Sequence, residues 1–190
     1  MYSDAFCQVY NVFGWNAFPE AFGQQLLIWL QRHFPGCKTS LDLACGTGVL
    51  CRILQQAGLQ AWGMDFSPGM IEIAREAGEG VHYDVADMIT YRPDRQFDLV
   101  TCTGDALNHI LEKENVAQIF ENVYACLAPG GYFIFDILNE KEVPMEEPIV
   151  FAETIVPERI LPPVIKPFLP STVISPFADT LLCIIASAET

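Results

Sequence analysis

A short glycine-containing segment carries the strongest chemical signal of this 190-residue chain. It reads Leu41-Asp42-Leu43-Ala44-Cys45-Gly46-Thr47-Gly48-Val49-Leu50. Gly46 and Gly48 permit a tight turn and a close approach of the backbone to a ligand. A carboxylate at Asp42, at the end of the preceding predicted strand, would repel a pyrophosphate and attract a cationic group, directly or through water. The segment therefore predicts a site for a ligand that carries a positive charge.

A dinucleotide site is the alternative interpretation of the same segment. Such a site uses three glycines in the pattern Gly-x-Gly-x-x-Gly, and Cys51 occupies the third position here. The residue at Cys51 and the carboxylate at Asp42 both disfavour a pyrophosphate. An NAD(P)-dependent oxidoreductase nevertheless stays open as a rival function.

A second acidic residue follows the second predicted strand. Asp65 lies 17 residues after Gly48, and a carboxylate at this position can accept hydrogen bonds from both hydroxyls of a ribose. Phe66 and Met70 offer polarizable apolar surface that could enclose an adenine ring. Asp65 could instead cap the helix that begins near residue 68, a role for which Ser67 competes, and Met70 could be ordinary core.

Two further segments follow the third and fourth predicted strands. After the third, Asp87 could accept from an adenine amino group and the Met88 backbone N–H could face a ring nitrogen, although Asp87 could also only cap a turn. After the fourth, the stretch from residue 102 to residue 109 should lie at the carboxyl edge of the sheet, where ligands enter such folds. We single out four of its residues as candidates: Cys102, Thr103, Asp105 and His109.

The elements that must position these residues alternate along the chain. Strands are predicted over 40–44, 60–65, 81–85, 96–102 and 132–138, and helices over 20–33, 48–57, 68–77 and 113–127. This alternation predicts an α/β fold, a doubly wound, mostly parallel Rossmann-like sheet with strand order 3-2-1-4-5.

Five motifs in this order resemble the class I S-adenosylmethionine-dependent methyltransferases. They are Asp-x-x-x-Gly-x-Gly from Asp42, the acidic strand end at Asp65, Ala-Asp-Met at 86–88, Phe-Asp-Leu-Val at 97–100 and Leu-x-Pro-Gly-Gly at 127–131. Asp-Ala-Leu-Asn-His at 105–109 resembles the subgroup that methylates small molecules. The resemblance covers about residues 38–138.

The resemblance implies S-adenosylmethionine as methyl donor. It implies that the loop from Asp42 to Gly48, including Ala44, Cys45 and Gly46, lies near the methionine part of the donor. It further implies Asp65 on the ribose and Asp87 on the adenine. The aromatic N-terminal segment contains Tyr10-Asn11-Val12-Phe13, which is similar to the Tyr-Asp-x-Phe entry of relatives that close a lid over the cofactor. Tyr10 is therefore a further candidate for cofactor contact.

The expected reaction transfers a methyl group to an oxygen, nitrogen or carbon atom of a small molecule. If the acceptor is a hydroxyl or an ammonium group, a base must remove a proton, and His109 and Asp105 are the candidates. A catalytically weak or inactive protein that only binds the cofactor is the alternative within the same family.

The predicted domain organisation has three parts. Residues 1–36 form an N-terminal helical cap or lid, residues 37–140 form the cofactor-binding domain, and residues 141–190 form an atypical apolar tail. The tail holds eight of the thirteen prolines and none of the thirteen glycines, a composition that disfavours long helices and central strands. We therefore expect the C-terminal strands six and seven of this fold to be absent or malformed, which would expose the edge of strand five.

Composition restricts the partners. The formal net charge is −14 with only ten Lys and Arg, which argues against a nucleic-acid partner. Seven cysteines without a Cys-x-x-Cys pair, and only three His, disfavour a structural metal site or a disulfide framework and favour a reducing, cytoplasmic location. No apolar run is long enough to cross a bilayer, so no membrane partner is expected.

Overall fold

The computed structural model of the chain describes residues 4–138 and 180–187. The helices are α1 Asp4–Val9, α2 Ala17–His33, α3 Val49–Gln56, α4 Pro68–Glu76, a short 3₁₀ helix Ala106–His109, and α5 Lys113–Cys126. The strands are β1 Thr39–Leu43, β2 Gln60–Asp65, β3 Val81–Val85, β4 Phe97–Cys102, β5 Leu127–Leu138 and β6 Thr180–Ala186.

The strands form a sheet in the order β3-β2-β1-β4-β5-β6. The first five have the predicted order 3-2-1-4-5, and the pairs β1–β2, β2–β3 and β4–β5 are parallel. Each parallel pair needs a crossover, and the helices between the strands supply it. The predicted α/β, doubly wound Rossmann-like fold is therefore confirmed.

The chain divides into two compact units, residues 1–88 and residues 89–190. The first contains β1–β3 and helices α1–α4, and the second contains β4–β6, the 3₁₀ helix and α5. The division falls within the predicted 37–140 domain, so the three predicted domain bounds stay a prediction.

The core of the first unit forms where helices cover the central strands. Phe22 and Leu26 of α2 and Leu50 and Leu54 of α3 are each at most 1 % exposed, and burying such a side chain stabilises the fold by roughly 1.5–3 kcal/mol. Gly23 of α2 lets the helices approach, because an added Cβ there would lie 2.8 Å from Ile53 Cδ1.

Strand β5 begins earlier than predicted. Leu127 already pairs with Phe97, and the register shifts before Leu99 pairs with Tyr132. Gly131 explains the irregular stretch, because a Cβ at this position would lie 2.9 Å from the carbonyl oxygen of Asp98. The Pro-Gly-Gly turn, predicted to precede the strand, is therefore a bulged part of it.

The expectation that β5 would have an exposed edge is wrong. Strand β6 pairs with it in antiparallel fashion, from Tyr132 opposite Ala186 to Leu138 opposite Thr180. The Ser187 backbone N–H continues the pairing by donating to the Gly131 carbonyl oxygen at 2.8 Å. The physical reason is local: the prolines of the tail end at residue 176, and the segment 181–186 is apolar and proline-free. The rest of the predicted tail, residues 141–179 and 188–190, lies outside the described residues.

None of the described helices is both long and apolar enough to cross a membrane.

Candidate functional site

Three residues of the loop between β1 and α3 have a left-handed backbone conformation. Ala44, Gly46 and Gly48 have φ of +55°, +54° and +73°, a conformation that a residue with a Cβ adopts rarely. Two backbone hydrogen bonds hold the loop: Cys45 N–H donates to the Met64 carbonyl oxygen and Gly48 N–H to that of Cys45, both at 2.9 Å. The loop is therefore held by hydrogen bonds of the protein's own backbone.

The two glycines of the loop serve different purposes. A Cβ at Gly46 would meet no atom within 4 Å, so this position faces open space. A Cβ at Gly48 would overlap the Tyr83 hydroxyl and lie 2.8 Å from its Cζ atom. Tyr83 also donates a hydrogen bond to the Gly48 carbonyl oxygen at 3.4 Å. Gly46 thus leaves room beside the loop, whereas Gly48 is required for packing.

Asp65 connects the loop to the end of β2. Its Oδ2 accepts from the Gly46 N–H at 2.9 Å, and its Oδ1 accepts from the Ser67 N–H at 2.8 Å. Burial raises the pKa of this half-buried carboxyl, and the two backbone hydrogen bonds partly oppose the increase. Each carboxylate oxygen has a second acceptor position, so Asp65 can still receive hydroxyl groups of a ligand.

Asp42 lies deeper in the same unit and is 5 % exposed. The Cys51 thiol donates to its Oδ2 at 3.8 Å. The hydrogen bond with Cys45, followed by burial, raises the Cys51 pKa, and burial raises that of Cys45. Both thiols therefore stay protonated and cannot act as nucleophiles. The third glycine of a dinucleotide loop is replaced here by a thiol that contacts a buried carboxylate.

The two residues predicted to enclose adenine lie in different environments. Phe66 is 53 % exposed, whereas Met70 is 1 % exposed and belongs to the core. The Ser67 hydroxyl caps α4 by accepting from the Met70 N–H at 3.4 Å, so the capping role falls to Ser67. Met70 lies on the buried side of α4, as the core interpretation of this residue expects, and its contact with adenine stays a prediction.

The segment after β3 lies next to the end of β2. Ala86 N–H donates to the Asp65 carbonyl oxygen at 3.0 Å. Asp87 and Met88, which follow directly, are half-buried. The structure thus places this segment beside Asp65. The adenine contacts of Asp87 and Met88 stay a prediction.

A side-chain hydrogen bond links the N-terminal segment to the glycine loop. Thr47, which is 2 % exposed, donates from Oγ1 to Asn11 Oδ1 at 2.9 Å. Asn11 is the position at which this chain departs from the Tyr-Asp-x-Phe pattern. The neighbouring Tyr10 packs in an aromatic cluster, with ring centroids 5.9 Å from Phe6 and 5.3 Å from Trp15.

The loop after β4 is the corresponding feature of the second unit. Cys102 is buried and Thr103 is half-buried. Gly104 and Asp105 follow with φ of +77° and +61°. Both N–H groups donate to the carboxylate of Asp136, Gly104 to Oδ2 at 2.9 Å and Asp105 to Oδ1 at 3.1 Å.

Asp136 was missed as a site residue by the sequence analysis. It lies on β5, is 2 % exposed, and burial is the main cause that raises its pKa to about 6. The available signal was an acidic residue at the end of the apolar run Tyr132-Phe133-Ile134-Phe135, since a buried carboxylate requires hydrogen-bond donors.

Asp105 and His109, the two candidate bases, lie on the same short helical turn. Burial raises the pKa of Asp105, and the charge of His109 lowers it. No hydrogen-bond donor among the described residues reaches the buried Oδ1 of Asp105, and this side chain does not cap the 3₁₀ helix that it precedes. His109 is exposed.

The described residues contain no group of three or more His, Cys, Asp or Glu that could hold a metal ion. No disulfide forms among the six cysteines whose side chains the structure describes.

A family model described as a methyltransferase domain matches residues 41–131, which run from β1 into β5. This match and the methyltransferase relatives below place residues 41–131 among the class I S-adenosylmethionine-dependent methyltransferases. The family and, at the level of the family, its S-adenosylmethionine cofactor are therefore confirmed as predicted.

Individual relatives agree with this methyltransferase assignment. The chain is 35% identical over 135 residues to a ubiquinone biosynthesis O-methyltransferase of Bordetella bronchiseptica, covering 66% of this chain and 52% of the relative. Among solved structures, an S-adenosylmethionine-dependent methyltransferase from Clostridium acetobutylicum is 28% identical with a TM-score of 0.63, covering 71% and 57% of the two chains. The sugar N-methyltransferase KedS8 from Streptoalloteichus is 26% identical with a TM-score of 0.64, covering 73% and 57%.

The chain spans about half the length of the curated relatives that it matches.

Proposed function

We propose that the chain transfers a methyl group from S-adenosylmethionine to an oxygen, nitrogen or carbon atom of a small molecule. The observation that carries the proposal is the carboxylate of Asp65, which the Gly46 and Ser67 N–H groups hold beside a preformed loop. A fixed carboxylate with acceptor positions to spare suits the two hydroxyls of a ribose. An acidic residue at this strand end also suits the ribose of a dinucleotide, so the discrimination rests on Asp42, whose carboxylate would repel a pyrophosphate.

The residues of the first unit fit the donor. Open space beside Gly46 leaves room for a ligand at the loop, and the buried Asp42 gives this region the negative charge that suits a cationic methionine part. We assign the ribose to Asp65, the adenine to Asp87 and the Met88 N–H, and one face of the adenine ring to the exposed Phe66. The core position of Met70 does not support a direct contact.

The remaining candidates extend this assignment. We propose that Ala44, Cys45 and Gly48 contribute through the backbone of the loop, because the left-handed residues there keep the chain compact. Tyr10 is proposed to cover the cofactor from the N-terminal segment, and the Asn11–Thr47 hydrogen bond supports this role. Cys102, Thr103 and Asp105 stay proposed cofactor contacts from the segment after β4.

S-adenosylmethionine held by Asp65 and the glycine loop would supply a methyl group bonded to a positively charged sulfur; the acceptor lone pair would bond to the methyl carbon while the carbon–sulfur bond breaks and a neutral thioether leaves. The protein contributes alignment of the two reactants, which lowers the barrier by restricting their motion. Excluding water from the pocket strengthens the interaction of Asp42 and Asp65 with the positive ligand.

A hydroxyl or ammonium acceptor also loses a proton, and we assign this proton to Asp105 or His109. Asp105 has a buried carboxylate oxygen with no donor among the described residues, and burial increases its proton affinity. His109 lies one helical turn away and is accessible to solvent, so it can pass the proton onward.

The acceptor class is supported by the relatives and by charge. One relative is named for ubiquinone biosynthesis and another for a sugar substrate, and both names describe methylation of small molecules. The net charge of −14 disfavours nucleic acid as the acceptor. The absence of disulfides among the described cysteines supports a reducing compartment such as the cytoplasm.

Calorimetry tests the donor assignment directly. We expect S-adenosylhomocysteine to bind the full chain and NADH not to bind. The variant Asp65→Ala should lose S-adenosylhomocysteine binding, whereas Asp94→Ala, which removes an 87 % exposed carboxylate of the second unit, should retain it. Binding of NADH in place of S-adenosylhomocysteine would contradict the proposal.

Turnover requires a second measurement. A panel of small hydroxyl, amine and carbon acceptors, with S-adenosylhomocysteine release as the readout, should identify at least one substrate. Tight donor binding without release across the panel would instead favour a cofactor-binding protein without catalytic activity.

A further inference from the structure

The turn that follows β4 has an unfavourable backbone conformation. Gly104 and Asp105 are consecutive left-handed residues, with φ of +77° and +61°. Glycine adopts this conformation freely, whereas it is unfavourable for a residue with a Cβ, although less so for Asp than for most. A turn of this kind persists only where the surrounding structure holds it.

Asp136 provides that support from the neighbouring strand. Both N–H groups of the turn donate to its two carboxylate oxygens, at 2.9 Å and 3.1 Å. The side chain is 2 % exposed, so water does not compete for these hydrogen bonds. Hydrogen bonds to a charged acceptor are stronger than those between neutral groups, so the two bonds offset the cost of the left-handed Asp105.

The held turn determines where the two proposed bases lie. The 3₁₀ helix Ala106–His109 begins directly after Asp105. Asn108 N–H donates to the Asp105 carbonyl oxygen at 3.0 Å. Ala106 and Leu107 are buried, with 8 % and 5 % of their surface exposed. The turn is fixed at one end and Ala106 and Leu107 are packed after it, so the backbone that carries Asp105 and His109 is held in place.

We propose that Asp136 is a positioning residue, whose carboxylate holds the Gly104–Asp105 turn and thereby sets the position of Asp105 and His109. The structural part of this proposal concerns the turn alone. Its catalytic consequence rests on the proposed function, in which Asp105 or His109 takes the proton of the acceptor.

The proposal has a consequence for pH. Burial raises the pKa of Asp136 to about 6, and the carboxyl of Asp105 is the one neighbouring side-chain charge acting on it among the described residues. Protonation removes the negative charge and converts one acceptor oxygen into a hydroxyl, which weakens both hydrogen bonds from the turn. The turn should therefore loosen as the pH falls through about 6.

Amide NMR of the full ¹⁵N-labelled chain tests the structural part. In the wild-type protein, the Gly104 and Asp105 amide proton shifts should titrate together with a midpoint near pH 6. In Asp136→Asn this step should disappear, and hydrogen exchange of both amides should be at least about tenfold faster at pH 7 (a loss of about 1.4 kcal/mol). The control Asp94→Asn removes an equal charge from an exposed site of the same unit and should retain the titration.

The wild-type titration needs no variant, so the test survives if Asp136→Asn does not fold. The positioning role would be overturned if these two amides showed no common titration, or if a folded Asp136→Asn protein kept both the titration and the slow exchange.

The catalytic part is tested with an acceptor identified from the panel. Asp136→Asn should lower kcat for methyl transfer at least about tenfold, and the residual activity should lose the decline below pH 6 that the Asp94→Asn control shows. If the amide result holds and no acceptor is ever methylated, the proposed function fails and the positioning role stands. If Asp136→Asn matches Asp94→Asn in kcat at every pH, the positioning role is overturned although the proposed function stands.

Discussion

In both units a carboxylate holds a glycine-containing loop, but the two carboxylates differ in their exposure to solvent. In the first, Asp65 on β2 accepts from Gly46 in the loop after β1. In the second, Asp136 on β5 accepts from Gly104 in the loop after β4. In each case a carboxylate on one strand holds the loop that follows the neighbouring parallel strand.

The difference between the two carboxylates is their access to solvent. Asp65 is half-buried, so its oxygens hold the loop and can also receive a ligand. Asp136 is 2 % exposed, so it acts only through the backbone that it fixes. The same hydrogen-bond pattern can therefore belong to a binding residue or to a supporting residue, and exposure to solvent distinguishes the two.

The largest expected effect comes from the accessible member of the pair. Asp65→Ala should lower the affinity for S-adenosylhomocysteine at least about 100-fold, because two charge-assisted hydrogen bonds to a ribose contribute about 3 kcal/mol or more. Calorimetry with Asp94→Ala as the charge-matched control measures this. An affinity within threefold of the wild type would remove Asp65 from the binding residues.

The next prediction compares the stability effects of the two glycines of the loop after β1, of which one packs against Tyr83 and the other faces open space. Gly48→Ala should lower the free energy of unfolding by about 2–4 kcal/mol, because the new Cβ overlaps Tyr83 and the residue is left-handed. Gly46→Ala faces open space and should lose only about 1 kcal/mol. Urea denaturation of both variants gives the comparison, and equal losses would show that the loop relaxes away from Tyr83.

The third effect concerns the buried member of the pair. Asp136 has a folded pKa of about 6 against an ordinary value of 3.8. Between these two values the folded state binds the proton more tightly than the unfolded state, so the stability contributed by this group falls as the pH rises. The contribution is fully present below about pH 4 and is lost above about pH 6.

Denaturation of the wild type and of Asp136→Asn across pH 4–8 measures this contribution. The stability of the wild type relative to the variant should decrease by about 2 kcal/mol over the range. A difference that is independent of pH would show that the Asp136 pKa is not raised in the folded protein.

The smallest effect tests the link from the N-terminal segment to the glycine loop. Thr47→Val should lower the free energy of unfolding by about 1 kcal/mol, because it removes the donor to Asn11 from a buried side chain. A double-mutant cycle with Asn11→Ala isolates the pair. A coupling energy near zero would show that the contact does not hold the segment in solution.

The parallel sheet was predictable because its signals are local. Each strand and helix corresponds to an apolar run bounded by glycine or proline, such as the segment that ends at Pro68 and Gly69. Such runs can be recognised without knowing which strands pair. The order 3-2-1-4-5 then follows from the few topologies that right-handed crossovers allow. The positions of Asp42, Gly46 and Asp65 in one unit follow from the same reasoning.

The features that the sequence did not reveal depend on distant partners. Asp136 acts on N–H groups 31 and 32 residues away, and no local pattern marks that pairing. Met70 lies at a position where helical spacing is consistent with both core and ligand contact, and in the folded protein it is buried on α4. Strand β6 was missed because the prolines before it dominated the composition of the tail.

The pairing of β5 with β6 also makes the intervening segment a candidate for replacement. Leu138 lies directly opposite Thr180, so these two residues, which flank the intervening segment, occupy adjacent points of the sheet. A two-residue reverse turn could bridge the same gap. If the longer connection is flexible, closing the short turn would cost about 2–3 kcal/mol less entropy and would favour the pairing by that amount. Denaturation of a shortened chain of this design would show whether the pairing of β5 with β6 depends on the residues that were removed.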